Sequence, residues 1–222
     1  MTSGRMQNTT AKMMQMEKNK DMKIGKNRAI FLDRDGTINK DTKDSVKNPS
    51  GFHFLPGALD ALKLIVKGEY KIFVVTNQGP VAKGIYTESD VQVVNRHMVE
   101  QLKEHNVPIE GVYYCPHHPN GTVKEYSFIC ECRKPGTKMI LDAAQEFGID
   151  LKKSWMVGDR WRDVQAGQKA GCRTILVKTS FEGDDYYKRN EAVPDYTCND
   201  LLEAVHVIME EDNKTGDDKG GY

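Results

Sequence analysis

The chain lacks an excess of charge and a long apolar run, and both absences limit what it can bind. Lys and Arg number 32, and Asp and Glu also number 32, so the formal net charge is zero. A neutral chain has no global field to hold a polyanion, which argues against nucleic acid as a partner. No stretch approaches the apolar length of a membrane span, which argues against a membrane partner. A small phosphorylated ligand needs only local positive charge and stays compatible with this composition.

A secretory signal and a disulfide scaffold are missing as well. Residues 1–27 are polar and rich in Met and Lys, without the apolar segment of a secretory signal, so we expect a cytoplasmic protein. Five cysteines in 222 residues are too few for a disulfide scaffold. We expect a disordered leader over 1–27, one folded domain over 28–210 and a disordered tail over 211–222. No further apolar stripe marks an interface, so we expect a monomer.

Strand patterns alternate with helix patterns along the folded segment. Short apolar runs over 28–33, 71–76, 111–115, 155–158 and 173–178 are typical of buried parallel strands, and amphipathic helical patterns lie between most of them. This alternation predicts an α/β fold, a Rossmann-like three-layer sandwich with a central parallel sheet covered on both faces. In such sheets ligands bind beyond the carboxyl ends of the strands. Polar residues follow several of these runs directly.

Two carboxylates follow the first predicted strand. Asp33 ends the apolar run and can act as a nucleophile on phosphorus. Asp35 lies two residues later and can protonate a leaving oxygen and then deprotonate water. The alternative is a solvated acidic turn in which Gly36 takes the left-handed conformation.

Polar and basic residues follow the next predicted strand and a later loop. The Thr76 hydroxyl and backbone N–H groups at Asn77 and Gln78 could hold phosphate oxygens, although a turn or helix cap is common there. Lys134 could neutralise charge on a transferring phosphoryl group. Arg133 could form a bidentate contact with a second anionic group of the substrate.

An acidic segment ends the fourth predicted strand. Asp159 is placed to complete a magnesium site with the Asp33 carboxylate and the Asp35 backbone carbonyl, because Mg²⁺ takes one or two carboxylates, waters and phosphate oxygens. Asp163 falls in the first turn of the next helix. We favour a structural role for it there over orienting Lys134.

Three cysteines and a histidine form a compact cluster over 115–132. Cys115, Cys130 and Cys132, together with either His117 or His118, match the ligand set of a closed tetrahedral zinc site. Four protein ligands leave no position for substrate, so the zinc would be structural and would fix the loop that ends at Lys134. The alternative is a chance grouping of free thiols.

The four strand-end motifs FLDRDGT, VVTNQG, CRKP and MVGD resemble, in this order, those of the haloacid-dehalogenase-like phosphatases. The resemblance implies a magnesium-dependent phosphatase that passes through an aspartyl-phosphate. It implies Asp33 as the nucleophile and Asp35 as the acid/base. It also implies Thr76 and Lys134 as phosphoryl stabilisers and Asp159 as a Mg²⁺ ligand.

The CPHHP and CxCRKP segments resemble one branch of that superfamily, the D-glycero-D-manno-heptose 1,7-bisphosphate 7-phosphatases, whose close relatives are the histidinol-phosphate phosphatases. The resemblance spans about residues 29–178, favours His117 as the fourth zinc ligand and implies no large cap domain. Two loops depart from the branch. In the substrate loop after the first motif only Asp41 matches, and residues 79–84 lack the usual Ser-Gly pair and arginine. Arg160 also stands where lysine is common.

The resemblance implies a small sugar bisphosphate as substrate, most plausibly the heptose bisphosphate. Arg133 and Arg160 would then bind the phosphate that is not removed. Histidinol phosphate is the alternative within this fold, because Asp41 and Asp44 could meet its amine. A nucleic-acid 3′-phosphatase and a zinc-stabilised binding module without catalysis are further alternatives. The absence of a basic stripe argues against the first, and the paired Asp33 and Asp35 argue against the second.

Overall fold

The computed structural model describes residues 4–5, 27–41, 46–179 and 192–217. The strands are β1 (Gly4–Arg5), β2 (Ala29–Leu32), β3 (Lys71–Asn77), β4 (Gly111–Cys115), β5 (Trp155–Gly158), β6 (Arg173–Val177) and β7 (Tyr196–Cys198). The α-helices are α1 (Ala58–Lys67), α2 (Glu88–Glu104), α3 (Lys138–Phe147), α4 (Trp161–Ala170) and α5 (Leu201–Asp217). Three short 3₁₀ turns span Pro49–Gly51, Lys124–Tyr126 and Leu151–Lys153.

The strands form one sheet in the order β1-β4-β3-β2-β5-β6-β7. Strands β2 to β7 are parallel, as the sequence predicted, and β1 pairs antiparallel with β4. Strand β2 lies at the centre of the sheet, between β3 and β5, so the ends of these three strands meet at one edge. Within the described residues no large cap domain interrupts the sheet, and no helix has the length and apolarity that crossing a membrane requires.

The core lies on both faces of the sheet. Ile30 and Leu32 of β2 belong to a buried cluster with residues of α1, α2 and α5. Ala29 and Phe31 point to the other face and join a second cluster with residues of α3 and α4. Because successive side chains of a strand alternate between faces, one four-residue strand holds both helix layers in place. The predicted three-layer sandwich is confirmed.

Helix α2 begins with a capping box. The Thr87 side chain accepts a hydrogen bond from the Asp90 backbone N–H, and the Asp90 carboxylate accepts one from the Thr87 backbone N–H. This reciprocal capping box satisfies donors that the first turn of a helix leaves without partners. It fixes where the chain turns from the end of β3 into α2.

Parts of both termini that the sequence predicts to be disordered have secondary structure, and the predicted domain bounds stay a prediction. Gly4 and Arg5 of the expected leader form β1, and α5 continues through the expected tail to Asp217. Asp212 holds the helix end, because its carboxylate accepts hydrogen bonds from Arg28 Nη1 at 2.6 Å and from the Tyr70 hydroxyl at 2.7 Å. The acidic composition predicted a solvated tail and missed these tertiary partners. Residues 1–3, 6–26 and 218–222 lie outside the described residues.

Candidate active site

The predicted reactive residues meet at the carboxyl edge of the sheet. Asp33 follows β2, Thr76 lies in β3, Lys134 lies in the loop before α3, and Asp159 follows β5. All four are buried. Because β2 lies between β3 and β5 in a parallel sheet, the ends of these strands converge on one site. A solvated acidic turn, the alternative for the first motif, does not fit a buried Asp33.

Lys134 joins two carboxylates at the centre of this site. Its Nζ lies 2.8 Å from Asp33 Oδ1 and 2.7 Å from Asp163 Oδ1, and it donates to the Val75 carbonyl at 2.6 Å. Burial alone would lower the pKa of Lys134, but the charges of Asp163 and Asp33 outweigh it and raise the pKa. Lys134 is therefore a fixed positive charge beside the Asp33 carboxylate.

Asp163 has both roles that the sequence left open. Its Oδ2 accepts a hydrogen bond from the Arg160 backbone N–H at 3.0 Å, which caps α4, while Oδ1 pairs with Lys134. The preference for a purely structural role was therefore incomplete. Gly158 is needed for this approach, because a Cβ there would lie 2.5 Å from the Asp163 carboxyl carbon.

Three carboxylates fit a divalent cation. Asp33, Asp159 and Asp163 each place a carboxylate oxygen within 4.8 Å of the others. Burial, followed by the charges of Asp33 and Asp163, raises the pKa of Asp159 well above its ordinary value. A cation would relieve this repulsion, and oxygen ligands are those that Mg²⁺ takes. Gly36, with φ +84°, lies against this group, since a Cβ there would come 2.7 Å from Asp159 Cγ. The Asp35 carbonyl as a further ligand stays a prediction.

Asp35 receives four hydrogen bonds on its two oxygens. Arg34 Nε and Asn39 Nδ2 donate to Oδ1 at 3.1 and 2.9 Å, and Arg34 Nη2 and Gln78 Nε2 donate to Oδ2, both at 2.8 Å. Burial raises the pKa of Asp35, but the Arg34 charge and these hydrogen bonds outweigh it and lower the pKa below its ordinary value. The predicted acid/base is therefore oriented by its neighbours.

The end of β3 contacts protein groups that the sequence did not predict. Gln78 Nε2 also donates to Thr76 Oγ1 at 3.0 Å, and the Tyr86 hydroxyl donates to Gln78 Oε1 at 2.6 Å. The Gln78 backbone N–H donates to the Cys115 carbonyl. The Asn77 side chain binds the backbone of Lys134. The side chains of Gln78 and Asn77 therefore shape the site, and substrate contact at these two positions stays a prediction.

Arg160 lies between two acidic groups. Its Nε contacts Asp159 Oδ2 and its Nη2 contacts Asp41 Oδ2, both at 3.0 Å. Burial and the nearby Asp35 charge raise the pKa of Asp41 despite this ion pair. Arg160 thus ties the predicted substrate loop to the predicted metal ligand. Arg133 Nη1 donates to the His117 carbonyl at 3.0 Å, and Asp44 lies outside the described residues.

The cysteine cluster has zinc-site geometry. The Sγ atoms of Cys115, Cys130 and Cys132 lie 3.2 to 3.5 Å apart, and His117 Nδ1 lies 3.3 Å from Cys132 Sγ and 3.6 Å from Cys115 Sγ. Tetrahedral zinc with its usual bond lengths sets two sulfurs about 3.8 Å apart and a sulfur and a nitrogen about 3.6 Å apart, so the four residues fit the ion if the sulfurs move apart by a few tenths of an ångström. A hydrogen bond from Cys115 contributes most to lowering the pKa of Cys132, to about 5, and makes it the first thiolate. His118 instead accepts a hydrogen bond from a backbone N–H of its own loop.

Sequence reasoning missed several residues around the acid/base, including Asn39, Arg34 and Asn95. Arg34 is fully buried between the two motif carboxylates, and Asn95 of α2 binds it. The sequence could have indicated Arg34, because a basic residue directly after a buried strand and between two acids needs partners. It could not have indicated Asn95, because a single polar residue in an amphipathic helix is usually exposed.

A buried carboxylate beside a fixed lysine, with a carboxylate cation site at the edge of a parallel sheet, defines a phosphoryl-transfer site of the α/β phosphohydrolase class. The similarity of the chain to known proteins supports this class. The family model described as HAD-hydrolase-like matches residues 131–204. A D-glycero-beta-D-manno-heptose-1,7-bisphosphate 7-phosphatase from Escherichia coli strain K12 is 39% identical over 184 residues, 82% of this chain and 94% of that protein.

Two further relatives extend the likeness. The enzyme of the same name from Yersinia pestis is 40% identical over 181 residues, 81% of this chain and 94% of that protein. The crystal structure of a D,D-heptose 1,7-bisphosphate phosphatase from B. bronchiseptica, complexed with magnesium and phosphate, has a TM-score of 0.71 and 30% identity, and covers 83% of this chain and 99% of that one. The chain belongs to the haloacid-dehalogenase-like phosphatases, in the branch that contains the heptose-bisphosphate phosphatases.

Proposed function

We propose that the chain hydrolyses D-glycero-D-manno-heptose 1,7-bisphosphate at the 7-phosphate, through an aspartyl-phosphate on Asp33. The observation that carries the proposal is the buried contact between Lys134 and Asp33, 2.8 Å long, at the edge where Asp159 completes an acidic cation site. The relatives named above, at 39% and 40% identity over most of the chain, carry this activity in their names. A phosphate monoester is therefore the substrate class and the heptose bisphosphate the particular substrate.

In the first step a carboxylate oxygen of Asp33 attacks phosphorus and the P–O bond to the sugar breaks. The sugar oxygen takes its proton from Asp35, and the lowered pKa of this carboxyl favours the ionised form that the step leaves behind. Lys134 and the Thr76 hydroxyl stabilise the charge that spreads over the phosphoryl oxygens. The product is the alcohol, and the phosphoryl group stays on Asp33.

In the second step water attacks phosphorus and the bond to Asp33 breaks. Asp35 takes the proton from the attacking water, so it ends the cycle protonated, as it began. Inorganic phosphate leaves and Asp33 is again a carboxylate. Two consecutive displacements thus need one nucleophile and one acid/base, which is what the first motif supplies.

Two metals fit the residues present. Mg²⁺ would be held by Asp33 and Asp159, with the Asp35 carbonyl, and would supply charge neutralisation for the phosphoryl group. Zn²⁺ would be held by Cys115, His117 and the two cysteines of the CxC segment, and its role is structural, because all four positions are filled by protein.

The substrate's second phosphate needs a cationic partner beyond Lys134. Arg133 lies next to Lys134, and a Cβ on Gly79 would lie 3.1 Å from its Nη1, so its guanidinium reaches the loop that follows β3. Arg133, which also donates to the His117 carbonyl, and Arg160, which is paired with Asp41 and Asp159, are both candidates for this contact. For histidinol phosphate the amine would have to compete with Arg160 for Asp41, which disfavours that alternative. A cytoplasmic location and a monomeric state stay predictions.

A phosphate-release screen tests the proposal. The purified chain, with Mg²⁺, is assayed on the heptose bisphosphate, histidinol phosphate, nucleotides and a DNA 3′-phosphate, with Asp33→Asn as the matched control. We expect the highest kcat/KM on the heptose bisphosphate and one phosphate released per molecule. A higher kcat/KM on histidinol phosphate would reject the substrate, and equal release by Asp33→Asn would reject the mechanism.

A further inference from the structure

A fully buried arginine joins the acid/base carboxylate to helix α2. The Arg34 side chain is 0% exposed and that of Asp35 is 19% exposed. Arg34 approaches Asp35 with Nε and Nη2, at 3.1 and 2.8 Å, one to each carboxylate oxygen. Its remaining terminal nitrogen, Nη1, donates to Asn95 Oδ1 at 2.7 Å. Asp35 is thus held by a bidentate contact whose other end is fixed by α2.

Stability does not account for this arrangement. A buried ion pair seldom exceeds the stability of well-packed apolar residues of similar volume. Asn95 Nδ2 is buried and has no hydrogen-bond partner among the described residues, and an unsatisfied buried donor is costly. Because Arg34 has only donors, Asn95 must present its oxygen and leave its amino group aside. A buried group of this kind needs an explanation, and a role in the reaction supplies one.

The charge on Arg34 distinguishes it from the other partners of Asp35. Asn39 and Gln78 also bind the carboxylate, but both donate from neutral amides. Arg34 contacts both oxygens of Asp35 with one planar charged group, whereas Asn39 and Gln78 each contact one oxygen. Proton transfer needs the donor within hydrogen-bond reach of the reacting oxygen. Arg34 therefore makes the strongest single contribution to the position and plane of the Asp35 carboxylate.

We infer that Arg34, held in place by Asn95, is a positioning residue that orients Asp35 for proton transfer to the leaving oxygen. The inference rests on the proposed function, in which Asp35 is the acid/base. It predicts that Arg34 matters most where the leaving group needs a proton. Hydrolysis of an alkyl phosphate, such as a sugar phosphate, needs that proton, and hydrolysis of p-nitrophenyl phosphate hardly needs it.

The test compares these two esters in Arg34→Met, which keeps an unbranched apolar stem in the buried position and removes the guanidinium charge. The quantity compared is kcat/KM, which reports the step that releases the alcohol and not the later hydrolysis of the aspartyl-phosphate that both esters share. General acid catalysis typically contributes about 10²–10⁴ in rate, so losing the orientation should lower kcat/KM for the sugar phosphate roughly tenfold to a hundredfold. The kcat/KM for p-nitrophenyl phosphate should fall less than about threefold by the same reasoning. Arg34→Lys should recover part of the difference. An equal fall for both esters, or no fall for either, would overturn the inference.

Three further variants keep the test decisive. In an Asp35→Asn background, Arg34→Met should change neither ester further, because the group that it orients is gone. If Arg34→Met does not fold, Asn95→Leu removes only the outer contact and should shift the ratio of the two esters in the same direction. Gln101→Leu, on the same helix and far along it from Asn95, should leave that ratio unchanged.

Failure of the inference and failure of the proposed function have different signatures. If Asp33→Asn still releases phosphate, the proposed mechanism fails, whatever Arg34 does. If Asp33→Asn is inactive while Arg34→Met keeps the wild-type ratio of the two esters, the mechanism stands and only the positioning role is rejected.

Discussion

Asn77 and Lys134 exchange two hydrogen bonds across the site. Asn77 Nδ2 donates to the Lys134 carbonyl and the Lys134 N–H donates to Asn77 Oδ1, each at 3.0 Å. The end of β3 is therefore fixed to the loop that carries the lysine of the site, and that loop leaves the cysteine cluster at Cys132. The backbone of Lys134 is positioned by one side chain and its Nζ by two carboxylates, so the lysine has little freedom.

The first prediction concerns this exchange. Asn77→Ala removes both hydrogen bonds and leaves two backbone groups of Lys134 without them, which should lower the free energy of unfolding by about 1–3 kcal/mol. The kcat should fall more than KM rises, because Lys134 acts on the charge that develops in the transition state. Urea unfolding and steady-state kinetics measure both. Asn120→Ala, at an exposed position of the same loop, is the control, and unchanged kcat in Asn77→Ala would contradict the prediction.

The second prediction concerns the nucleophile. Asp33→Asn replaces the attacking carboxylate by an amide, and phosphate release should fall roughly a thousandfold or more, as for other catalytic nucleophiles. Folding should survive, because Lys134 keeps its ion pair with Asp163 and one of three crowded carboxylates loses its charge. Thermal unfolding of the variant checks this. Phosphate release within tenfold of wild type would rule out Asp33 as the nucleophile.

The main elements of the fold followed from the sequence, because parallel strands buried on both faces leave continuous apolar runs. Runs such as GVYYC over 111–115 predicted β4 with its observed bounds. The strand-end residues Asp33, Thr76 and Asp159 were predicted for the same reason, since strand ends converge in such a sheet. The cysteine spacing likewise predicted a cluster before any geometry was known.

Side-chain partners could not be predicted from the sequence. The sequence indicated Gln78 as a substrate ligand, but its amide binds Asp35, Thr76 and Tyr86. These contacts depend on tertiary distances that no local pattern encodes. The same is true of Asp212, in a tail whose composition predicted disorder, which is held by Arg28. Local patterns predict where a residue lies along an element, and tertiary structure decides what it contacts.

The third prediction concerns pH and metal. The pKa of Asp159 is raised in the folded state, mainly by burial and then by Asp33 and Asp163. The folded protein then holds this proton more tightly than the unfolded chain. The contribution of this proton to the free energy of unfolding is therefore fully present below the ordinary carboxyl pKa of about 4. It is lost as the pH rises through the raised pKa of Asp159. Mg²⁺ binds the ionised form, so added Mg²⁺ should restore stability at the higher pH.

Thermal unfolding of wild type and Asp159→Asn, in EDTA and over a pH series, measures this effect. The amide carries no titratable proton and its oxygen can still accept the Arg160 hydrogen bond. The wild type should lose stability relative to the variant as the pH rises, and Mg²⁺ should restore the wild type only. A difference between the two proteins that does not change with pH would contradict the raised pKa.

The last prediction concerns the cysteine cluster. Cys130→Ser removes one of four ligands whose donor atoms already lie close to zinc-site distances, and zinc affinity should fall by more than about a hundredfold, beyond the loss typical of outer-sphere changes. Because metal binding and folding of such a loop are coupled, the melting temperature should fall together with the zinc content. The loop ends at Arg133 and Lys134, but Asn77, Asp33 and Asp163 hold Lys134 independently. The kcat measured below the unfolding transition should therefore change less than stability does. Cys198→Ser, a buried thiol outside the cluster, should keep full zinc content, and full zinc content in Cys130→Ser would refute this ligand set.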